Sequence, residues 1–310
     1  MISPAYRAQV DLLLQLLPYI GREESLALKG GTAINLFERD MPRLSVDIDL
    51  TYLPLEGRSE TLSHIAQALS RIKDNLEAAI PGIRVRLSPQ NRGQEAKLIC
   101  QLKQALVKVE VNTIIRGQLW PVRSMQLSQA AQDEFGKFAI AQVVSQAELF
   151  GGKVCAALDR QHPRDLFDVD QLLSHEGLTP NIRQGFIATL LGHSRPMHEL
   201  LRPNFLDQQQ VFEAQFAGMT RVPFTYEQFE STRERLVEEV YAQLTADDRA
   251  LLLSFKRGEP DWSLFPVSHL KEMPAVQWKL ANIRKLKEKS PKKHAQQLAV
   301  LEAVLRTPSD

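Results

Sequence analysis

Residues 26–53 read LALKGGTAINLFERDMPRLSVDIDLTYL, and this stretch decides the fold. The run Ser25–Lys29 is short and apolar, and it stops at Gly30 and Gly31. Residues 32–40 follow with Ala33, Leu36 and Phe37 at helical spacing and Thr32 placed to cap the helix. Leu44–Leu53 then alternates. Val46, Ile48 and Leu50 face one way; Ser45, Asp47, Asp49 and Thr51 face the other, which is the period of a strand. The pattern is an extended run, a glycine turn, a short helix and a strand bearing two acids.

Aspartate is depleted in strands because its short polar side chain prefers turns and caps. On either side of Ile48, Asp47 and Asp49 point to one face, about 7 Å apart by strand rise. Two carboxylates held that close repel unless a cation offsets them, and a hard divalent ion such as Mg2+ takes oxygen ligands and leaves room for phosphates. A solvent-facing strand is the alternative reading of the pair alone. Further on, Leu106–Ile114 (LVKVEVNTI) alternates valines against Lys108, Glu110 and Asn112, so Glu110 can complete a three-acid cluster. Its alternative is an exposed charge balanced by Lys108. Three acids on one sheet face are what two-metal phosphoryl transfer requires. Gly30 and Gly31 let backbone approach a phosphate, and the start of the following helix offers N–H groups to an anion. The Thr32 hydroxyl can donate to the same phosphate. An ordinary tight turn is the plain reading of the glycines; their spacing from the acid pair favours the phosphate cradle.

Working outward, residues 5–22 and 60–79 read as helices. IRVRLSP, AKLICQL and LVKVEVNTI read as three strands, the first two separated by the polar QNRGQE loop. Beyond residue 125 the pattern becomes helical, at about 140–160, 164–175, 181–193, 226–244, 246–257 and 275–305. The expectation is therefore an α+β protein: a mixed-sheet domain over residues 1–125, then a helical domain over 126–310. In the second, ELFGGKVCAALDRQHPRDLFDVDQLL (residues 148–173) places Glu148, Lys153 and Arg160 on one helix and Asp165 just after Pro163. A salt-bridged helix face with a capping aspartate accounts for these charges, but Gly151 and Gly152 inside a helix cost about 1–2 kcal/mol relative to alanine. Close approach of another backbone or a ligand would explain that cost, as would a helix break.

At 310 residues with 44% hydrophobic content, the chain can bury a large core without disulfides or a structural metal. Its two cysteines, Cys100 and Cys155, lack ligand spacing, which points to a reducing compartment and away from zinc. No apolar run is long enough for a membrane span, and the first 20 residues read as an amphipathic helix rather than a signal, so a cytoplasmic location is expected. A net charge of +1 excludes a globally basic nucleic-acid binder. It hides the stripe Lys279, Arg284, Lys285, Lys287, Lys289, Lys292 and Lys293, which is a solvated helix face or a phosphate contact. His162, His175, His193 and His198 lack metal spacing, no serine sits in a nucleophile elbow, and the tryptophans are too scattered for a stacking platform.

Residues 26–53 resemble motif I of the polymerase-β-like nucleotidyltransferases, and most closely the AbiEii/AbiGii-type toxins of bacterial toxin–antitoxin and abortive-infection systems. The family pattern is matched at Lys29–Ile34, Arg43, Ser45 and Asp47–Leu50, and a second family-like block at Glu148, Lys153, Ala157, Leu158, Arg160, Arg164, Asp165, Asp168 and Leu172. Together the blocks anchor residues 25–175. The resemblance implies a Mg2+-dependent enzyme, with two ions, that moves NMP from an NTP to an acceptor hydroxyl and releases pyrophosphate. The acceptor is expected to be RNA such as the tRNA 3′ end, and the partner a cognate antitoxin protein; no membrane is expected. By the same carry-over Lys29, Gly30, Gly31 and Thr32 cradle the nucleotide, Asp47, Asp49 and Glu110 hold metal, and Lys153 meets a phosphate oxygen. Asp165 or Asp168 positions Lys153 or activates the acceptor, and sequence does not rank the two. Threonine stands where the wider superfamily has serine, and Glu110 where many members have aspartate. A small-molecule or protein acceptor, or a non-catalytic nucleotide- or partner-binding module, are the rival readings.

Overall fold

The computed structural model describes residues 4–88 and 95–306. The QNRGQE loop lies almost wholly outside the described residues. The chain forms two compact units, residues 1–145 with 210–225 and residues 146–209 with 226–310.

The first unit is a mixed sheet with helices. It runs α1 (Pro4–Ile20), β1 (Leu26–Lys29), α2 (Gly30–Ala33), β2 (Asp47–Tyr52), α3 (Arg58–Ala79), β3 (Arg84–Ser88), β4 (Glu95–Leu102), β5 (Ala105–Asn112), β6 (Arg123–Gln126), α4 (Gln129–Phe135) and β7 (Ile140–Val143). Strand order is β3-β4-β5-β2-β1-β7-β6, with β2 parallel to β5, β1 parallel to β7, and the other neighbours antiparallel. The apolar alternation explains the layering. Val85, Leu98, Cys100, Val107, Val109 and Val111 are buried, α1 and α3 pack against those strands, and Leu13, Leu17, Ile65, Leu69, Ile72 and Leu76 are buried on the two helices. Burying side chains of this size contributes about 1.5–3 kcal/mol each. Strand β7 was expected to be helix. Ala141 and Val143 are buried while Ile140 is exposed and Gln142 half-buried, so the period is two, but four residues running into a helix leave little of it to see.

The second unit begins with α5 (Gln146–Arg160), α6 (Pro163–Ser174), α7 (Pro180–Gly192) and α8 (Met197–Leu201). A Cβ on Gly151 of α5 would collide with the backbone of Gly185 and Phe186 on α7, and a Cβ on Gly185 with the Ala147 carbonyl. The glycine therefore serves backbone-to-backbone helix contact. The chain then returns to the first unit through α9 (Gln209–Gln215) and residues up to 225. There Leu44 N–H donates to Met219 O and Arg221 N–H to Pro42 O, both at 2.8 Å, with a bridge between Arg43 and Thr220. Phe212, Phe216 and Phe224 anchor this return as a ring cluster with centroids 5.1–6.3 Å apart. Residues distant in sequence thus pin the lead-in to β2. The second unit closes with α10 (Tyr226–Gln243), α11 (Ala246–Arg257), α12 (Pro274–Lys289) and α13 (Pro291–Leu305), the last two being the helical pattern read at 275–305, broken at Ser290.

Candidate active site

Register places the acids. Asp49 lies opposite Glu110 on β5 and opposite Lys29 on β1, and Asp47 lies opposite Lys108. Residues paired this way share a sheet face, with strands about 4.8 Å apart. So Asp47, Asp49 and Glu110 are on one face of adjacent strands. Glu110 does not turn to Lys108: Lys97 Nζ, from the neighbouring β4, donates to Glu110 Oε1 at 2.8 Å.

The glycine turn lies directly against the acids. Gly30 has φ +69°, and a Cβ there would overlap the Asp49 Oδ2 oxygen. At Gly31 a Cβ would sit 2.8 Å from Arg43 Nη2 and 3.1 Å from Ser45 Oγ. Arg43 is 2% exposed, and its Nη1 donates to Leu44 O at 2.8 Å. Thr32 is fully buried. Its hydroxyl donates to Asp47 O at 2.5 Å and lies 2.9 Å from Ser45 Oγ. That proton is committed within the fold, tying the helix start to the acid strand, so the hydroxyl is not the group placed to donate to an anion. Nor is Thr32 the cap: the helix begins at Gly30, Lys29 takes the cap position without a side-chain bond, and α2 continues as a π-helical turn over Ile34–Glu38. Arg43 and Ser45, matched in the sequence only as a pattern, are thus packed around the glycine turn and the helix start, where they fix the loop.

In the second unit Lys153 Nζ donates to Asp165 Oδ1 at 2.6 Å and pairs with Asp168 Oδ2 at 2.9 Å; the three side chains are between 1% and 5% exposed. Arg160 adds Nε to Asp165 Oδ2 at 2.5 Å and Nη2 to Oδ1 at 3.1 Å. Burial raises the Asp165 pKa, but Lys153 and Arg160 outweigh it and hold the carboxyl well below the usual range. The burial removes the exposed salt-bridge alternative. His162 caps α6, accepting from Arg164 N–H at 3.2 Å.

The acids form a partial donor set for a divalent cation. Asp47 and Asp49 offer hard oxygen ligands on one face beside a glycine that leaves Asp49 room, which fits Mg2+. Glu110 fits only by exchanging its bond to Lys97. Among the described residues, the three side chains whose ligand atoms all lie within 4.8 Å of one another are Glu56, Glu60 and His64. The sequence reading did not single these out, although Glu60 and His64 have i,i+4 spacing. Tyr52 donates to Glu56 Oε2 at 2.9 Å and is pushed up to about 12 by burial and that carboxylate, so the group is already a hydrogen-bonded cluster.

The basic C-terminal stripe divides. Lys279 is buried and donates to Leu190 O and Arg195 O at 3.0 and 2.9 Å, Arg284 to Gly258 O and Lys287 to Arg257 O, while Lys285, Lys289, Lys292 and Lys293 are exposed. Burial brings the Lys279 ammonium down to about 7. No helix among the described residues is long and apolar enough to cross a membrane.

The profile of the family described as "Nucleotidyl transferase AbiEii toxin, Type IV TA system" matches residues 11–282. Comparison with curated proteins gave no match. Among solved structures, the chain resembles the nucleotidyltransferase toxin MenT4 of Mycobacterium tuberculosis H37Rv. The TM-score is 0.60 at 16% identity, covering 97% of this chain and 94% of that one, a likeness of fold.

Proposed function

Starting from the AbiEii family of nucleotidyltransferase toxins from type IV toxin–antitoxin systems, to which this chain belongs, we propose that it transfers NMP from an NTP to a hydroxyl of RNA, such as the tRNA 3′ end. The reaction is Mg2+-dependent, releases pyrophosphate, takes place in the cytoplasm, and is held in check by a cognate antitoxin protein. The observation that carries this is the Gly30 turn lying directly against Asp49, with Asp47 and Glu110 on the same sheet face.

Gly30, Gly31 and Thr32 present first-turn N–H groups to the triphosphate, and the missing Cβ of Gly30 lets phosphate oxygens and the Asp49 carboxylate share one space. Asp47 and Asp49 would hold the divalent cation, and Glu110 would be a third ligand only in place of its bond to Lys97. When bound, the metal neutralises the phosphates and acidifies the acceptor hydroxyl. Lys29, opposite Asp49, contributes fixed positive charge beside the phosphates. The Arg43–Ser45–Thr32 contacts keep the loop from moving as charge develops. Lys153 with Asp165 and Asp168 is assigned to the reaction through the motif these residues carry: Lys153 for phosphate charge, the aspartates for its orientation. Catalysis is then positional and electrostatic.

Incubation with labelled NTPs, Mg2+ and total RNA tests the proposal. Label should enter RNA, and Asp49→Ala should abolish this while the thermal melt is preserved. Label entering only small molecules or protein, or Asp49→Ala retaining most activity, would refute it.

A further inference from the structure

The register assembles a feature that the reaction above does not use. On the sheet face that bears the acids, Arg86 of β3 pairs with Ile99 of β4, Ile99 with Lys108 of β5, and Lys108 with Asp47 of β2. This is one straight row across four strands. Arg84 lies two residues from Arg86 on the same face, opposite Gln101. Arg84, Arg86 and Lys108 are all exposed, and none has an ion pair among the described residues; Lys97, on the same face, is bonded to Glu110. Strands β3, β4 and β5 bury their other face against α1 and α3, apart from the exposed Leu87 near the end of β3. Burial therefore does not explain three arginine and lysine side chains standing alternately on exposed strand positions.

We propose that this face is the track for the acceptor strand: Arg84, Arg86 and Lys108 hold successive phosphates of a single-stranded RNA end whose terminal hydroxyl reaches Asp47 and Asp49. The inference rests on the RNA-directed reading of the site and deepens it. The row has the right polarity, because Lys108 is one strand gap from Asp47 and Arg86 three gaps, about 14 Å, beyond it. Arginine presents a planar fork suited to phosphate oxygens, and the positive row draws a polyanion towards acids that would otherwise repel it. Ile99 is half-buried between Arg86 and Lys108, and Leu106 is half-buried two residues from Lys108, giving ribose and base an aliphatic floor. An acidic protein is the less suitable occupant. Protein interfaces draw their affinity from large aromatic anchors, and none of the residues on this stretch of the face is aromatic.

The test is anisotropy of a fluorescein-labelled oligoribonucleotide between 50 and 200 mM salt, without NTP, on wild type and the triple variant R84A/R86A/K108A. Each phosphate contact contributes about 0.7 to the salt slope for a single strand, so the variant should lose about 2. In the transfer assay the RNA KM should rise at least tenfold at unchanged NTP KM and unchanged melt, and R84K/R86K with Lys108 retained should recover most of the binding. An unchanged salt slope and RNA KM overturn the proposal, as does a triple variant that loses only an antitoxin-like acidic protein. The binding arm needs no turnover. Wild type that transfers while the variant is indistinguishable sinks the track alone, whereas wild type that labels no RNA sinks the RNA reading of the site.

Discussion

Replacing Gly30 by alanine separates the phosphate cradle from mere foldedness. Two costs arise. The backbone at φ +69° is left-handed, which costs an L residue about 1–2 kcal/mol, partly offset by about 0.4–1 kcal/mol from stiffening the unfolded chain. The net loss is roughly 0.5–1.5 kcal/mol, a fall in Tm of about 1–6 °C for a unit of this size. The second cost is local: the new methyl overlaps Asp49 Oδ2, so that carboxylate must move by something on the order of 1 Å, enough for about a hundredfold loss in rate. Gly82, before β3, provides the control. Its φ is +79°, and its nearest neighbour to an added Cβ is Leu102 Cδ1 at 4.0 Å, so Gly82→Ala incurs the backbone cost without the clash. Thermal melts of the two variants should therefore differ only by the cost of displacing the Asp49 side chain. In NMP transfer with saturating Mg2+, Gly30→Ala should lose about a hundredfold in kcat/KM and Gly82→Ala less than threefold. If both keep activity within threefold of one another, Gly30 is an ordinary turn glycine and the cradle argument fails.

Lys97→Met removes the ammonium that engages Glu110 and should lower the half-saturating Mg2+ concentration several-fold, read from an Mg2+ titration of transfer; an unchanged titration removes Glu110 from the metal site. Lys153→Met leaves two buried carboxylates without their shared cation and should destabilise the protein by about 3–5 kcal/mol in urea unfolding, far more than an exposed pair would. Asp165 is held below its unfolded value near 3.9, so its stabilisation is complete above that value and is lost as pH falls through the lower folded one; Asp165→Asn should flatten the acid limb of a Tm-against-pH curve. On the α5–α7 crossing, Gly185→Ala should cost about 1–3 kcal/mol or more through the Ala147 carbonyl, whereas Gly152→Ala, which faces open space within a helix, should gain up to about 1 kcal/mol, both read by chemical denaturation.

Local periodicity was the legible part of this chain. The alternation of Asp47–Tyr52 and Ala105–Asn112 gave both acid-bearing strands and the faces of their side chains, and the helical stripes gave α3, α6, α7, α10 and α11 within a few residues. Pairing between distant segments was not legible. Nothing in Met219–Arg221 announces that its backbone will bond Pro42 and Leu44, because those bonds use N–H and C=O groups every residue carries. The alternative reading of Glu110, an exposed charge balanced by Lys108, named the wrong lysine for a related reason. Lys108 is two residues along the same strand, about 7 Å away, whereas Lys97 is the direct cross-strand neighbour at about 5 Å, and cross-strand neighbours are set by register. The glycine pair in α5 was visible as a cost; the contact that makes Gly151 necessary, at Gly185 and Phe186, lies more than thirty residues on, and Gly152 faces open space.

One row across the sheet reads Lys97, Glu110, Asp49, Lys29, from β4 to β1. Like charges directly opposite one another destabilise a sheet, so Glu110 beside Asp49 calls for compensation. From sequence, Glu110 was read as completing a metal-holding cluster, with a charge balanced by Lys108 as the alternative. The flanking lysines supply a second source, leaving the row formally neutral with its negative pair at the centre, and Lys108 lies opposite Asp47 in the register one step along. On the proposed reading, such a row is balanced in charge at rest and would concentrate its negative pair where a cation and a triphosphate arrive together. The flanking lysines would then be the groups to turn towards phosphate oxygens once a cation takes over the carboxylates, so that the same charges would serve the resting sheet and the reaction.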